Sequence, residues 1–135
     1  MQRGRSGEPV QQSISKPILL GLITAIVIGI VAPIITPHVA HPSMIYHILL
    51  HIAGLTIAVF LSVVSVLAYM RATGSRLLFM TLGFMALATA EFIYLLDATS
   101  IVNLFDISAL GIELPHVIVL VMVTLFGLGV LKVNK

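Results

Sequence analysis

HILLHIAGLTIAVFLSVVSVLAYM, residues His47 to Met70, runs for 24 residues without a formal charge, and its reading decides the fold. A helix of that length falls within the ~17–25 apolar residues needed to cross a bilayer. Working outward, three further apolar stretches have comparable length: Ile18 to Ile35, Leu77 to Leu96 and His116 to Leu131. The expected fold is an all-α integral membrane four-helix bundle. It divides into a polar amino-terminal arm, residues 1–17, and one four-span domain, residues 18–135.

Composition agrees with this class. A hydrophobic share of 59% against 9% charged residues is too apolar for a soluble domain. The chain has no cysteine, so disulfides, iron–sulfur clusters and thiolate metal sites are excluded. The polar arm and first span resemble a signal peptide, with Ala32 and Ala40 as small residues near a possible cleavage site, but a retained first helix is expected.

Charge orients the chain. Arg3, Arg5 and Lys16 lie in the arm, Arg71 and Arg76 flank the second turn, and Lys132 and Lys135 end the tail, so all the basic residues fall on one side. The positive-inside rule makes that side cytoplasmic, with both termini inside a plasma-membrane protein. The opposite connections, Thr36 to Tyr46 and Asp97 to Pro115, carry His38, His41, Asp97, Asp106 and Glu113 and no Lys or Arg. The pI near 9.3 therefore reflects orientation and contact with anionic headgroups, and no nucleic-acid partner is expected. The expected partners are the lipid bilayer and other membrane subunits.

Prolines and small residues give the finer expectations. Pro33 and Pro37 should end the first span, and Pro42 with Ser43 should start the second. Helices in lipid associate through small residues that let backbones approach. The expected inward faces are Gly21, Ala25 and Gly29 on the first span, and His51, Gly54, Ala58, Ser62, Ser65 and Tyr69 on the second. On the third they are Gly83, Leu87, Ala90, Glu91 and Tyr94, and on the fourth His116, Leu120, Thr124 and Gly127. The segment Ser100 to Gly111 reads as a short interfacial helix with Ile101, Leu104, Phe105 and Leu110 on its apolar side.

The candidate chemistry gathers in His47, His51, Glu91 and His116. His47 and His51 stand one helical turn apart on one face, and His51, Glu91 and His116 come to similar depth below the outer boundary. A carboxylate in hydrocarbon needs a partner, and no Lys or Arg lies on that side. The options are His51, His116, Tyr94, water, a metal ion or its own proton.

Three functional readings follow. In the first, His47, His51 and His116 ligate copper or another divalent ion, with Glu91 as ligand or as hydrogen-bond partner to one imidazole. In the second, His47 or His51 on one helix and His116 on another grip a b-type haem. In the third, the cluster forms part of a proton or small-solute path, although the inner half offers only Ser62, Ser65, Thr81 and Thr124.

A structural reading stands beside these. Glu91 is then protonated or bonded to a histidine, and the group sets helix register in a small subunit. His38 and His41 read as solvated loop residues, and the six Met residues as packing. No phosphate loop, nucleophile elbow or metalloprotease helix occurs, and no independent catalytic activity is expected.

The residues His47-Ile-Leu-Leu-His51, Arg76-Leu-Leu-Phe-Met-Thr-Leu-Gly-Phe84, Glu91-Phe-Ile-Tyr-Leu-Leu-Asp97 and Glu113-Leu-Pro-His116 carry a resemblance. Over about two-thirds of its length the chain resembles small archaeal four-helix membrane proteins, most of all those of ammonia-oxidising archaea. Such organisms possess a copper-dependent membrane monooxygenase with small accessory subunits. The resemblance implies an accessory subunit of a membrane redox assembly, with copper or haem at an outward-facing His/Glu site.

Overall fold

A computed structural model of the chain describes residues 14–38, 42–99, 106–107 and 112–131. They form helices α1 (Lys16–Ile35), α2 (Pro42–Arg71), α3 (Ser75–Ala98) and α4 (Leu114–Leu131). A single 3-10 turn, Thr36–His38, follows α1, and a two-residue ladder precedes α4. All four helices are long and apolar enough to cross a membrane. The longest, α2, has 30 residues and spans about 45 Å, enough to overreach the hydrocarbon by several turns or to cross it tilted.

Helix boundaries follow local chemistry. Pro17 stands in the first turn of α1 and Pro42 opens α2, positions where a missing N–H costs no intrahelical bond. Pro33 does not end α1, which continues to Ile35. A proline so near the end removes one donor from the last turn only. Termination comes at Thr36, whose hydroxyl, at 2.6 Å, and backbone N–H both donate to the Ala32 carbonyl.

The helices pack in chain order, α1 on α2, α2 on α3 and α3 on α4. Ser65 meets Thr81 near the turn and His51 meets Glu91 further along, so α2 and α3 run antiparallel. Gly129 lies against Phe79, Gly83 against Phe126 and Tyr94 near His116, which makes α3 and α4 antiparallel as well. Lys16, Arg71 and Arg76 accordingly share one end of the array, and His47, His51, Asp97 and His116 the other.

The core between α1, α2 and α3 is aliphatic. Ile23, Val27, Val31 and Ile35 recur at four-residue spacing along α1 and pack with Ile48 and Leu55 of α2 and Leu95 of α3. Nearer the basic end, Ser65 and Thr81 are hydrogen-bonded at 2.6 Å in a buried position, and Thr81 also donates to the Leu77 carbonyl. Both buried hydroxyls are thus satisfied without water.

Two of the four expected inward faces hold. His51, Gly54, Ala58, Ser62, Ser65 and Tyr69 all avoid the surface, as do Gly83, Leu87, Ala90, Glu91 and Tyr94. The outer helices are rotated from expectation. Gly21, Ala25 and Gly29 lie on the exposed side of α1, because the Ile23–Ile35 ridge takes the seam with α2. His116, Leu120, Thr124 and Gly127 are exposed on α4, whose seam runs instead through Pro115, Phe126 and Gly129. Shape decides here: Phe126 fills the space beside Gly83, and Gly129 admits Phe79.

The connection before α4 also departs from expectation where it is described. Asp106–Ile107 pairs with Ile112–Glu113 as an antiparallel ladder, Asp106 opposite Glu113, so residues 106 and 107 are extended rather than helical. Branched Ile107 and Ile112, paired directly, suit an extended backbone better than a helix. The other residues of the expected interfacial helix, Ile101, Leu104, Phe105 and Leu110 among them, lie outside the described residues, as does His41.

Candidate functional site

The site begins with a glycine. Gly54 lies one turn below His51 on α2, and a Cβ added to it would sit 2.8 Å from Glu91 Cδ and 2.9–3.0 Å from both carboxylate oxygens. The missing side chain is therefore the space that the Glu91 carboxyl occupies. From that notch Glu91 Oε2 reaches His51 Nδ1 at 2.9 Å, joining α3 to α2.

Both partners are largely withdrawn from the surface, with side-chain exposures of 14% for His51 and 23% for Glu91. With Glu91 ionised, His51 Nδ1–H donates to it; with Glu91 protonated, Oε2–H donates to the bare Nδ1. Either arrangement lets two polar groups enter an apolar bundle with each satisfying the other. Of the partners open to Glu91 from sequence, the structure provides His51.

Aromatic rings extend the pair toward the surface. His47 stands edge-on to His51 with centroids 4.7 Å apart, as one-turn spacing dictates. Tyr94, three residues beyond Glu91 on α3, stacks on His51 at 5.3 Å and 18°. His116 meets Tyr94 edge-on at 6.4 Å. The order across the end opposite Lys16, Arg71 and Arg76 is His47, His51, Tyr94, His116, with Glu91 behind His51.

This arrangement is a series, not a cage. Among the described residues no three His or acidic side chains are grouped so as to hold one metal ion. His47, His51 and Glu91 are brought together, whereas His116 is separated from His51 by the Tyr94 ring. The side chains of Asp106 and Glu113 lie outside the described residues, and Asp97 is exposed. Tyr94 and Gly54 have roles that spacing alone left unassigned. The readable signal was the three-residue offset that puts each on the face of its acidic or imidazole neighbour.

Chemically, the histidine pair can do two things. An imidazole whose Nδ1 is fixed by a carboxylate has a defined orientation and an Nε2 available at its far edge, as histidines ligating metals commonly do. The same bond, left alone, is an interhelical latch. Comparison with protein-family models, with curated proteins and with solved structures gives no match for the chain.

Proposed function

We propose that the chain is a small polytopic subunit of a larger membrane assembly, with His51 and Glu91 latching its two central helices in register. One observation carries this: the outer helices bury a single edge and turn close-packing positions outward. Only 11% of the apolar window of α4 is buried, Gly21, Ala25 and Gly29 are exposed on α1, and nothing lies within 4 Å of a Cβ added at Gly21, Gly29 or Gly127. Glycines on a membrane helix favour contact with another helix. The basic end, with Lys16, Arg71 and Arg76, faces the cytoplasm in this reading.

The test substitutes those open glycines. Gly21→Leu and Gly127→Leu should leave the isolated chain as stable as before or firmer by up to about 1 kcal/mol, since glycine is a poor helix former. Both should release the chain from partners that otherwise co-purify from native membranes. Undiminished co-purification of the double variant would show that these glycine faces are not the contact, and an unsubstituted chain that co-purifies with no partner would refute the assembly role.

The fixed orientation of the His51 ring is compatible with a second reading, a metal-bearing subunit of a membrane redox assembly. There His47 and His51 hold copper, Glu91 orients His51 from behind, and further ligands come from a partner, since Tyr94 stands between His51 and His116. A b-type haem between His51 and His116 requires Tyr94 to move from between them. Metal analysis and a visible spectrum of the complex purified from native membranes separate the readings. Stoichiometric copper or a haem band, lost on His51→Ala, would support the redox role. Full metal content in a His51→Ala, His116→Ala double variant would remove it.

A further inference from the structure

At the basic end, a cavity of about 450 Å³ opens between the start of α1 and the end of α2. Its polar wall is Ser15, Lys16 and Arg71, and its apolar wall includes Leu19, Val64 and Leu67. Neither Lys16 nor Arg71 forms an ion pair among the described residues, and the described acidic side chains, Glu91 and Asp97, belong to the opposite end. Ser15 makes no side-chain capping bond to α1, although its carbonyl accepts from Leu19 N–H at 3.0 Å. The site thus combines two cations with no ion-pair partner among the described residues, a hydroxyl and an aliphatic wall running into the span.

We propose that this cavity binds an anionic phospholipid, its phosphate between Lys16 and Arg71 and an acyl chain along Leu19, Val64 and Leu67. The charges select an anion, and the apolar wall selects one with a hydrocarbon tail. Basic pockets between helices at headgroup depth hold anionic lipids by this combination. Arg76, at the same end on α3, does not line the cavity and distinguishes a built site from general attraction to the surface. The inference rests on membrane placement of the helices and on no property of the His51–Glu91 pair.

The test uses the full chain extracted from membranes in a mild detergent, so that membrane placement is established before lipid is added. Phosphatidylglycerol, phosphatidylcholine and inorganic phosphate are titrated, with native mass spectrometry and thermal stability as readouts. Phosphatidylglycerol should bind saturably as a single adduct and raise the unfolding temperature, whereas phosphatidylcholine and inorganic phosphate should do neither. A Lys16→Gln, Arg71→Gln variant should bind phosphatidylglycerol ~30-fold more weakly, the equivalent of about 1 kcal/mol per basic side chain. Arg76→Gln should leave binding nearly unchanged.

Equal loss in Arg76→Gln and the double variant would overturn the site in favour of diffuse attraction. Inorganic phosphate that displaces the lipid would identify a free-anion site. Equal binding of both lipids by the unsubstituted chain would also reject the proposal, whatever the variants do.

Discussion

Replacing His51 by alanine is expected to destabilise the chain more than replacing Glu91 by glutamine, because alanine removes the 2.9 Å bond whereas a glutamine amide can still bond to Nδ1. Glutamine at 91 leaves a neutral hydrogen-bonded pair, and the loss should stay below the roughly 0.6 kcal/mol of an average interhelical hydrogen bond in a membrane. Alanine at 51 strands the Glu91 carboxyl in the Gly54 notch, at the end of the array that has no described Lys or Arg. An acidic group at a helix centre costs roughly 2.5–3.5 kcal/mol, and Glu91, off centre and able to take up a proton, should cost about 2 kcal/mol.

The asymmetry has a corollary in the double variant. His51→Ala with Glu91→Ala removes the stranded carboxyl and should recover much of what His51→Ala alone loses. Thermal or detergent-induced unfolding of the three variants, at one pH and lipid composition, reads the difference. Equal losses for the two single variants, or a double variant no better than His51→Ala, would show that the pair is not a latch between helices.

The central hairpin was legible in the sequence because its polar residues had to find one another. Four consecutive turns of α2 present His51, Gly54, Ala58 and Ser62 on one face, and α3 answers with Glu91, Ala90 and Gly83. A carboxyl and an imidazole in an apolar span leave few satisfactory rotations, so the inward face was specified chemically. The His51–Glu91 pairing followed from the same constraint, as one of six options for Glu91.

The outer helices lacked such a constraint. Along α1 and α4 most positions are aliphatic, and in lipid an aliphatic surface has no preferred direction. Phe-Gly127-Leu-Gly129 offered two glycines on different faces, and composition could not choose between them. The choice of Gly129 reflects the fit of Phe79 against it and of Phe126 beside Gly83, a matter of shape across two helices. The placement of His116 beyond Tyr94, outside a shared cluster with His51, is a direct consequence of that rotation.

Because α4 is held chiefly by α3, Gly83→Leu should detach it. Gly83 is buried, and a Cβ there would lie 2.7 Å from Phe126 Cε1 and 2.9 Å from Cδ1 and Cζ, closer than such atoms can stand. The Phe126 ring is also braced edge-on by Phe84 at 5.1 Å and 67°, so its retreat disturbs a second contact. Alanine at 83 should cost about 1–3 kcal/mol as an overpacked contact, and leucine more than that. Unfolding experiments should show the loss, and limited proteolysis should cut before α4 in the leucine variant. Phe126→Leu should restore much of the stability lost by Gly83→Ala, since the two changes act on one contact and their effects should be strongly non-additive. An additive pair, or a Gly83→Leu chain as stable as the parent, would mean that α4 is held by something other than the Phe126 ring against Gly83. In that case the outward rotation of Gly127, and with it the assembly face of α4, would lose its structural basis.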